Sequence, residues 1–212
     1  MVSVANNHVF DYGEQGFLDT LDALHAAGIP YSGGGRNLTE ASAVRYVVTG
    51  GRKIAIVSAT EIERFYHFTQ KAQKEKPGVL KTLNPAAFLE VIREADATSD
   101  YVIVEVHWGT EGSLHEEKSQ RLLAELYAEA GADAVIGGHP HRLQGCGFTD
   151  GVPVAYSLGN FWFSTGTLYT TLAKITITED GAVTLSYVPC IQKGLVTSIL
   201  TEQDLSLIHI SE

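Results

Sequence analysis

Three short apolar runs in this chain each stop at a polar cluster that contains histidine. Val2-Ser3-Val4-Ala5 leads into Asn6-Asn7-His8. The run YVIVEV, from Tyr101 to Val106, leads into His107-Trp108-Gly109. The run AVIGG, from Ala134 to Gly138, leads into His139-Pro140-His141. Apolar, β-prone runs of this length read as buried strands. In layered α/β proteins, ligands bind outside the carboxyl ends of the strands. Three such strands bring Asn7, His8, His107, His139 and His141 to one rim.

The segments between the runs restrict the fold further. FLDTLDALHAAG carries Phe17, Leu21, Leu24 and Ala27 at helical spacing, with Gly28 as its stop. NPAAFLEVIREADA reads as a helix with Asn84 as N-cap and Pro85 in its first turn. HEEKSQRLLAELYAEAGAD reads as an amphipathic helix with Leu122, Leu123 and Leu126 inward and Gly131 as its stop. Gly50-Gly51, Asp150-Gly151 and Asp180-Gly181 each sit between β-prone runs and predict three hairpins. Glu61 to Lys81 is polar, aromatic and irregular, and is expected to be an exposed insertion beside the site. Strands alternate with helices first, and hairpins gather at the end. That order predicts an α/β layered sandwich with mixed sheets rather than a doubly wound sheet.

No repeat or linker divides the chain, so residues 1–204 read as one domain. Residues 205–212, LSLIHISE, resemble a translated sequencing-library adapter and are expected to be a non-biological tail. The opening VSVA looks like a core strand with no neighbour before it, so the domain is expected to lack its first strand or strands. The net charge of −10 argues against nucleic acid as the main partner, because phosphate binding needs clustered Lys and Arg. Cys146 and Cys190 make no disulfide framework and are expected to be free thiols. No apolar run approaches the ~20 residues of a membrane span, and the first residues lack the features of a signal peptide.

Imidazole nitrogens suit Zn, Fe, Mn, Co or Ni, and an amide oxygen can add a further ligand. Each cluster taken alone also has a plain structural reading. Pro-flanked histidines are common in turns, Asn is a frequent turn residue, and His107 could be a core histidine stacked on Trp108. The joint pattern, with a histidine wherever a strand runs out, is what points to a metal or phosphate site. His25, His67 and His115 stand alone and are given no role. A two-metal site normally uses acidic residues to bridge the ions. The chain has neither an Asp-x-His pair nor a Gly-Asp-x-x-Asp run. Asp11, Glu105 and Glu111 are the candidates to assist, with Glu105 more readily structural.

Four stretches carry a family resemblance: SVANNHVFDYGEQGFLDTLDALHAAGIPYSGGGRN, VEVHWGTEGS, GADAVIGGHPHRLQG and VPVAYSLGNFWFS. Over Val2 to Phe163 they resemble the CapA family of bacterial capsule-synthesis proteins, associated with poly-γ-glutamate. That family is similar to the calcineurin-like metallophosphoesterases. The resemblance implies an α/β/β/α sandwich and one or two divalent metal ions, Mn, Zn or Fe. It implies Asn7, His107, His139 and His141 as metal ligands, and His8 as the group that donates a proton to the leaving group or steadies the phosphate. Asp11, Glu111 and Asn160 would support the pocket. The family's opening strand, with its Gly-Asp motif, is missing here, and it should supply the carboxylate ligands.

The implied function is metal-dependent hydrolysis of a phosphoester or an amide-linked anionic polymer during capsule synthesis. The alternative is a non-catalytic metal- or polymer-binding component of a capsule synthesis and export complex. The implied partners are the polymer and the synthesis and export proteins. Membrane contact would come only through a missing N-terminal anchor, with the parent protein extracytoplasmic.

Overall fold

Alternation within YVIVEVH sets up the main sheet. In the computed structural model, which describes residues 1–62, 69–163 and 165–201, Val102, Val104 and Val106 are fully buried on one face. Ile103, Glu105 and His107 point to the other, as the two-residue period of a strand requires.

The elements in chain order begin with β1 (Val2–Ser3), α1 (Gly13–Ala26), β2 (Tyr31–Ser32), β3 (Gly34–Gly35) and α2 (Leu38–Ala41). The hairpin β4 (Arg45–Thr49) and β5 (Arg52–Thr60) follows, then β6 (Gly78–Val79), α3 (Ala86–Thr98) and β7 (Tyr101–His107). Next come α4 (Lys118–Glu129), β8 (Ala134–Gly138), β9 (Cys146–Thr149) and β10 (Val152–Ala155). The described chain closes with β11 (Thr167–Ile177), β12 (Val183–Lys193) and β13 (Val196–Ile199).

Six strands form the main sheet in the order β4-β5-β7-β8-β10-β9. The four central strands are parallel and the two edge strands antiparallel. Helices α3 and α4 cover one face. Phe88, Val91, Ile92 and Ala95 of α3, with Leu123, Ala124 and Tyr127 of α4, pack on Val102, Val104 and Val106. Each fully buried side chain of this size contributes about 1.5–3 kcal/mol of transfer free energy. A second cluster joins Phe17 and Leu21 of α1 to Val4, Phe10, Tyr31 and Val79, with Phe10 and Phe17 stacked at 4.6 Å.

The mixed α/β class with mixed sheets is as expected. The second β layer is in pieces: the parallel pair β1-β2 and the antiparallel sheet β11-β12-β13. A cavity of about 890 Å³ lies between them. Ser3 and Ala5 border it on one side and Thr171 and Ala173 on the other, with Glu105 and Ile136 beneath.

All three predicted hairpins form. Gly50 and Gly51 both take positive φ (56° and 74°) and close a two-residue turn between Thr49 and Arg52, the geometry of a type I′ hairpin. Cys146 and Cys190 are free thiols, the first exposed and the second buried.

Several local expectations need correction. Leu122 is 53% exposed, while Leu123 is buried beside Gln120, Ala124 and Tyr127. The buried stripe of α4 is Gln120, Leu123, Ala124 and Tyr127, at i, i+3, i+4 and i+7, and Leu122 lies about 100° off its edge at Leu123. Ala27 is exposed past the end of α1. The cap of α3 falls at Pro85, and Asn84 Oδ1 accepts from Ala86 N at 3.3 Å. Within Glu61 to Lys81, residues 63–68, His67 among them, lie outside the described residues. The rest is no exposed insertion, because Ala72, Val79 and Leu80 are buried. Residues 205–212 also lie outside the described residues. β1 is only two residues long, with Val2 40% exposed, so its burial begins at Val4. No helix among the described residues is long and apolar enough to cross a membrane.

Candidate functional site

Register alone brings two of the histidines together. β7 and β8 are parallel, and His107 pairs with Gly138. The next residue after Gly138 is His139, so the two imidazoles leave neighbouring strands at the same level. Trp108 N donates to Gly138 O at 3.0 Å and locks that level. His139 Nδ1 then stands 3.1 Å from His107 Nε2, with ring centroids 4.7 Å apart.

The loop after β1 supplies the third group. Asn6 Oδ1 accepts from His8 N at 2.8 Å, which turns the chain tightly. Asn7 is buried and points inward, with Oδ1 2.9 Å from His107 Nε2. His8 Nδ1 lies 2.7 Å from Asp11 Oδ2. His8, His107 and His141 all line the cavity.

His141 stands slightly apart. Its ring is 6.0 Å from that of His139, and its Nδ1 is 2.6 Å from Asn160 Oδ1. Phe163 lies against its other side at 4.7 Å. His139 and His141 both hold positive φ, 100° and 60°, a conformation that costs a residue with a Cβ about 1–3 kcal/mol. Gly112 N bonds Pro140 O at 2.8 Å and ties the loop that carries Glu111 to the His139–His141 loop.

Burial and mutual repulsion keep the imidazoles of His107 and His139 neutral. Desolvation, then the neighbouring His139, His141 and His8, lowers the His107 pKa to about 3. His139 falls to about 4, mainly by desolvation and the charge of His141, although Glu111 pulls it upward. Neutral imidazoles keep lone pairs for a cation.

Two ligands of one cation, bonded at about 2.0–2.1 Å, stand about 2.9–3.4 Å from each other. The Asn7–His107 and His107–His139 separations of 2.9 and 3.1 Å meet that spacing. The donor set therefore fits a divalent ion at Asn7, His107 and His139, with His141 at its margin. Among the described residues, no three or more His, Cys, Asp and Glu side chains form a group that could hold a metal. Asp11 is turned to His8. Glu105 faces the cavity and accepts from Ser58 Oγ at 3.3 Å, and desolvation by the atoms packed around it pushes its carboxyl pKa up. Glu111 is exposed and acts on His139 only through its charge.

Some placements were not foreseen. Trp108 does not stack on His107; it lies beneath the sheet against Tyr127 and Tyr156 and donates from Nε1 to Tyr156 O at 2.8 Å. Glu61 Oε2 accepts from Gly109 N at 3.3 Å, beside the end of β7. Its only sequence signal is its position just past the end of a strand. Phe163 carries no signal beyond its place in the YSLGNFWF run.

A mixed α/β sheet whose parallel strands end in a rim of imidazoles beside a buried amide defines the class: a layered α/β protein with a polar site at the carboxyl ends of its strands. Residues 1–165 match the model of the bacterial capsule synthesis protein family PGA_cap, and the chain belongs to that family. It is 32% identical over 217 residues to the capsule biosynthesis protein CapA of Bacillus anthracis, covering 99% of this chain and 52% of that protein. It is 36% identical over 167 residues to the PGA biosynthesis protein CapA of Bacillus subtilis, covering 78% of this chain and 43% of that one. The chain thus spans about half the length of the relatives it matches. Among solved structures, a putative 5′-nucleotidase from Staphylococcus aureus shares the fold, with a TM-score of 0.55 at 20% identity over 97% of this chain and 40% of that one.

Proposed function

We propose that the whole protein is a metal-dependent hydrolase of capsule poly-γ-glutamate synthesis, acting on a phosphoester or an amide-linked anionic polymer. The observation that carries this reading is that His107, at the end of β7, stands 2.9 Å from Asn7 and 3.1 Å from His139. Asn7, His107, His139 and His141 would hold one or two divalent ions, Mn, Zn or Fe. Such an ion polarises the electrophile and lowers the pKa of a bound water.

The chain's own residues do the rest. Asp11 accepts from His8 Nδ1 and fixes the ring, so proton exchange with the departing oxygen runs through Nε2. Asn7 is held by burial, and the turn at Asn6 sets its direction. The cavity bordering His8, His107 and His141 gives a polymer segment room to approach. The polymer and the capsule synthesis and export proteins are the partners this reading calls for. The family's role also favours an extracytoplasmic, membrane-associated parent protein.

The test is turnover of a generic phosphoester by the full-length protein with added Mn or Zn. His8→Asn should lower turnover by about 10²–10⁴-fold while the bound metal content is unchanged. Full turnover in that variant refutes the role.

A second reading has its own support. Phe161, Trp162 and Phe163 are exposed beside His141, a surface suited to holding a chain rather than cutting it. On this reading the domain is a non-catalytic metal- or polymer-binding component of the synthesis and export complex. Polymer binding that survives both His8→Asn and chelation, with no hydrolysis under any metal, favours it.

A further inference from the structure

We infer that Asn160 is a positioning residue that sets the tautomer of His141 and so decides which ring nitrogen keeps its lone pair. The inference builds on the proposed site but makes a claim of its own, about where one proton sits.

The hydrogen bond defines the direction. His141 Nδ1 is 2.6 Å from Asn160 Oδ1. An amide oxygen can only accept, so Nδ1 carries the hydrogen. A neutral imidazole with Nδ1–H has a bare Nε2, and His141 lines the cavity. Free imidazole favours the opposite form, with hydrogen on Nε2. The side chain of Asn160 therefore works against the intrinsic preference and delivers a lone pair to the rim.

The surroundings hold Asn160 in place for this task. Leu158 is bridged to Leu143 on one side, and its carbonyl accepts from Thr170 Oγ1 at 2.7 Å. Gly159 turns the chain at φ 69°, with the Tyr169 carbonyl 3.1 Å from where a Cβ would sit. His141 is fixed from its own side by its left-handed backbone and by the ring of Phe163. Two loops 19 residues apart are thus each braced, and the polar side-chain contact from His141 to Asn160 is a hydrogen bond of fixed polarity. That gives the SLGN stretch a chemical role: its asparagine orients a histidine rather than touching a ligand.

The test reads the proton directly. Long-range ¹H–¹⁵N spectra of the His141 ring are recorded at about pH 8, above the ordinary imidazole pKa of about 6.5. They are taken for the unsubstituted chain, Asn160→Asp and Asn160→Leu. A carboxylate can also only accept, so Asn160→Asp should keep Nδ1 protonated. Asn160→Leu removes the acceptor, and the Nε2–H form should appear. A His141 ring that carries its hydrogen on Nε2 in the unsubstituted chain overturns the inference. So does a switch of tautomer in Asn160→Asp, which would mean the amide had been donating; this arm stands even if Asn160→Leu fails to fold.

Zinc titration of the same proteins addresses the metal reading separately. Loss of such an orienting partner typically weakens a site about 10–100-fold. If the tautomers behave as stated but zinc affinity does not change, His141 is no ligand and the positioning role of Asn160 still holds.

Discussion

Gly137 and Gly138 are neighbours in GGHPH, yet alanine should have opposite consequences at the two positions. A Cβ on Gly137 would lie 2.2 Å from Trp108 Nε1 and 2.2 Å from Tyr156 O. Those are the donor and acceptor of the 2.8 Å bond beneath the site. The methyl group would part them, and Trp108 is fully buried. Overpacking costs about 1–3 kcal/mol, and an orphaned buried donor about 1–3 kcal/mol more. The sum, about 2–6 kcal/mol, is a large part of a net stability of ~5–15 kcal/mol. At ~2–4 °C per kcal/mol for a chain of this size, Tm should fall by at least 4 °C. At Gly138 nothing lies within 4 Å of the added atom, so the change should stay within about 1 kcal/mol. Urea unfolding of both variants, with hydrogen exchange at the Trp108 indole N–H, decides the matter. Equal stabilities, or a Trp108 indole still protected in Gly137→Ala, would refute the reasoning.

Three further expectations follow from the same coordinates. His107 and His139 are held neutral, with pKa values lowered to about 3 and about 4, against about 6.5 in the unfolded chain. Below pH 6.5 the unfolded state therefore binds more protons, and stability falls as pH falls. The loss at pH 5 is about 2 kcal/mol for His107 and less for the more exposed His139; a urea midpoint that is flat between pH 7 and 5 contradicts this. Leu123→Ala should cost about 2–5 kcal/mol and Leu122→Ala under about 0.5 kcal/mol, and denaturation curves that reverse that order would mean α4 presents another face. His139→Ala and His139→Gly both delete the imidazole, but at φ 100° glycine should be the more stable by about 1 kcal/mol, and an alanine variant of equal or greater stability argues against strain there.

What the sequence made legible was local. The alternation in YVIVEVH, the paired glycines at 50 and 51 and the Asp-Gly steps at 150 and 180 each specify conformation within a few residues, and each element formed there. The clustering of histidines at strand ends was also visible, because parallel strands put their carboxyl ends on one edge. Contacts that join distant segments were not visible. Asn160 meets His141 across 19 residues, and Glu61 meets Gly109 across 48; no periodicity encodes either. Leu122 misled because it lies outside the i, i+3, i+4, i+7 stripe of Gln120, Leu123, Ala124 and Tyr127 that α4 buries. The stretch after Glu61 misled because its polar composition hides Ala72, Val79 and Leu80, which are buried in two different clusters.

Three unfavourable features fall on the same few residues. Asn7 is a buried amide, His107 and His139 resist protonation, and His139 and His141 hold strained backbone. None of these helps the chain fold, and a fold selected for stability alone would replace them with apolar residues or glycine. Each persists because a rigid neighbour enforces it: the β7–β8 register for His107 and His139, the Asn6 turn for Asn7, and Asn160 for His141. Desolvation and the inferred tautomer act in one direction, since each leaves an unprotonated ring nitrogen at the rim, and the left-handed backbone of His139 and His141 holds those rings there. That common direction favours a ligand-binding role for the cluster over the plain reading of turn histidines.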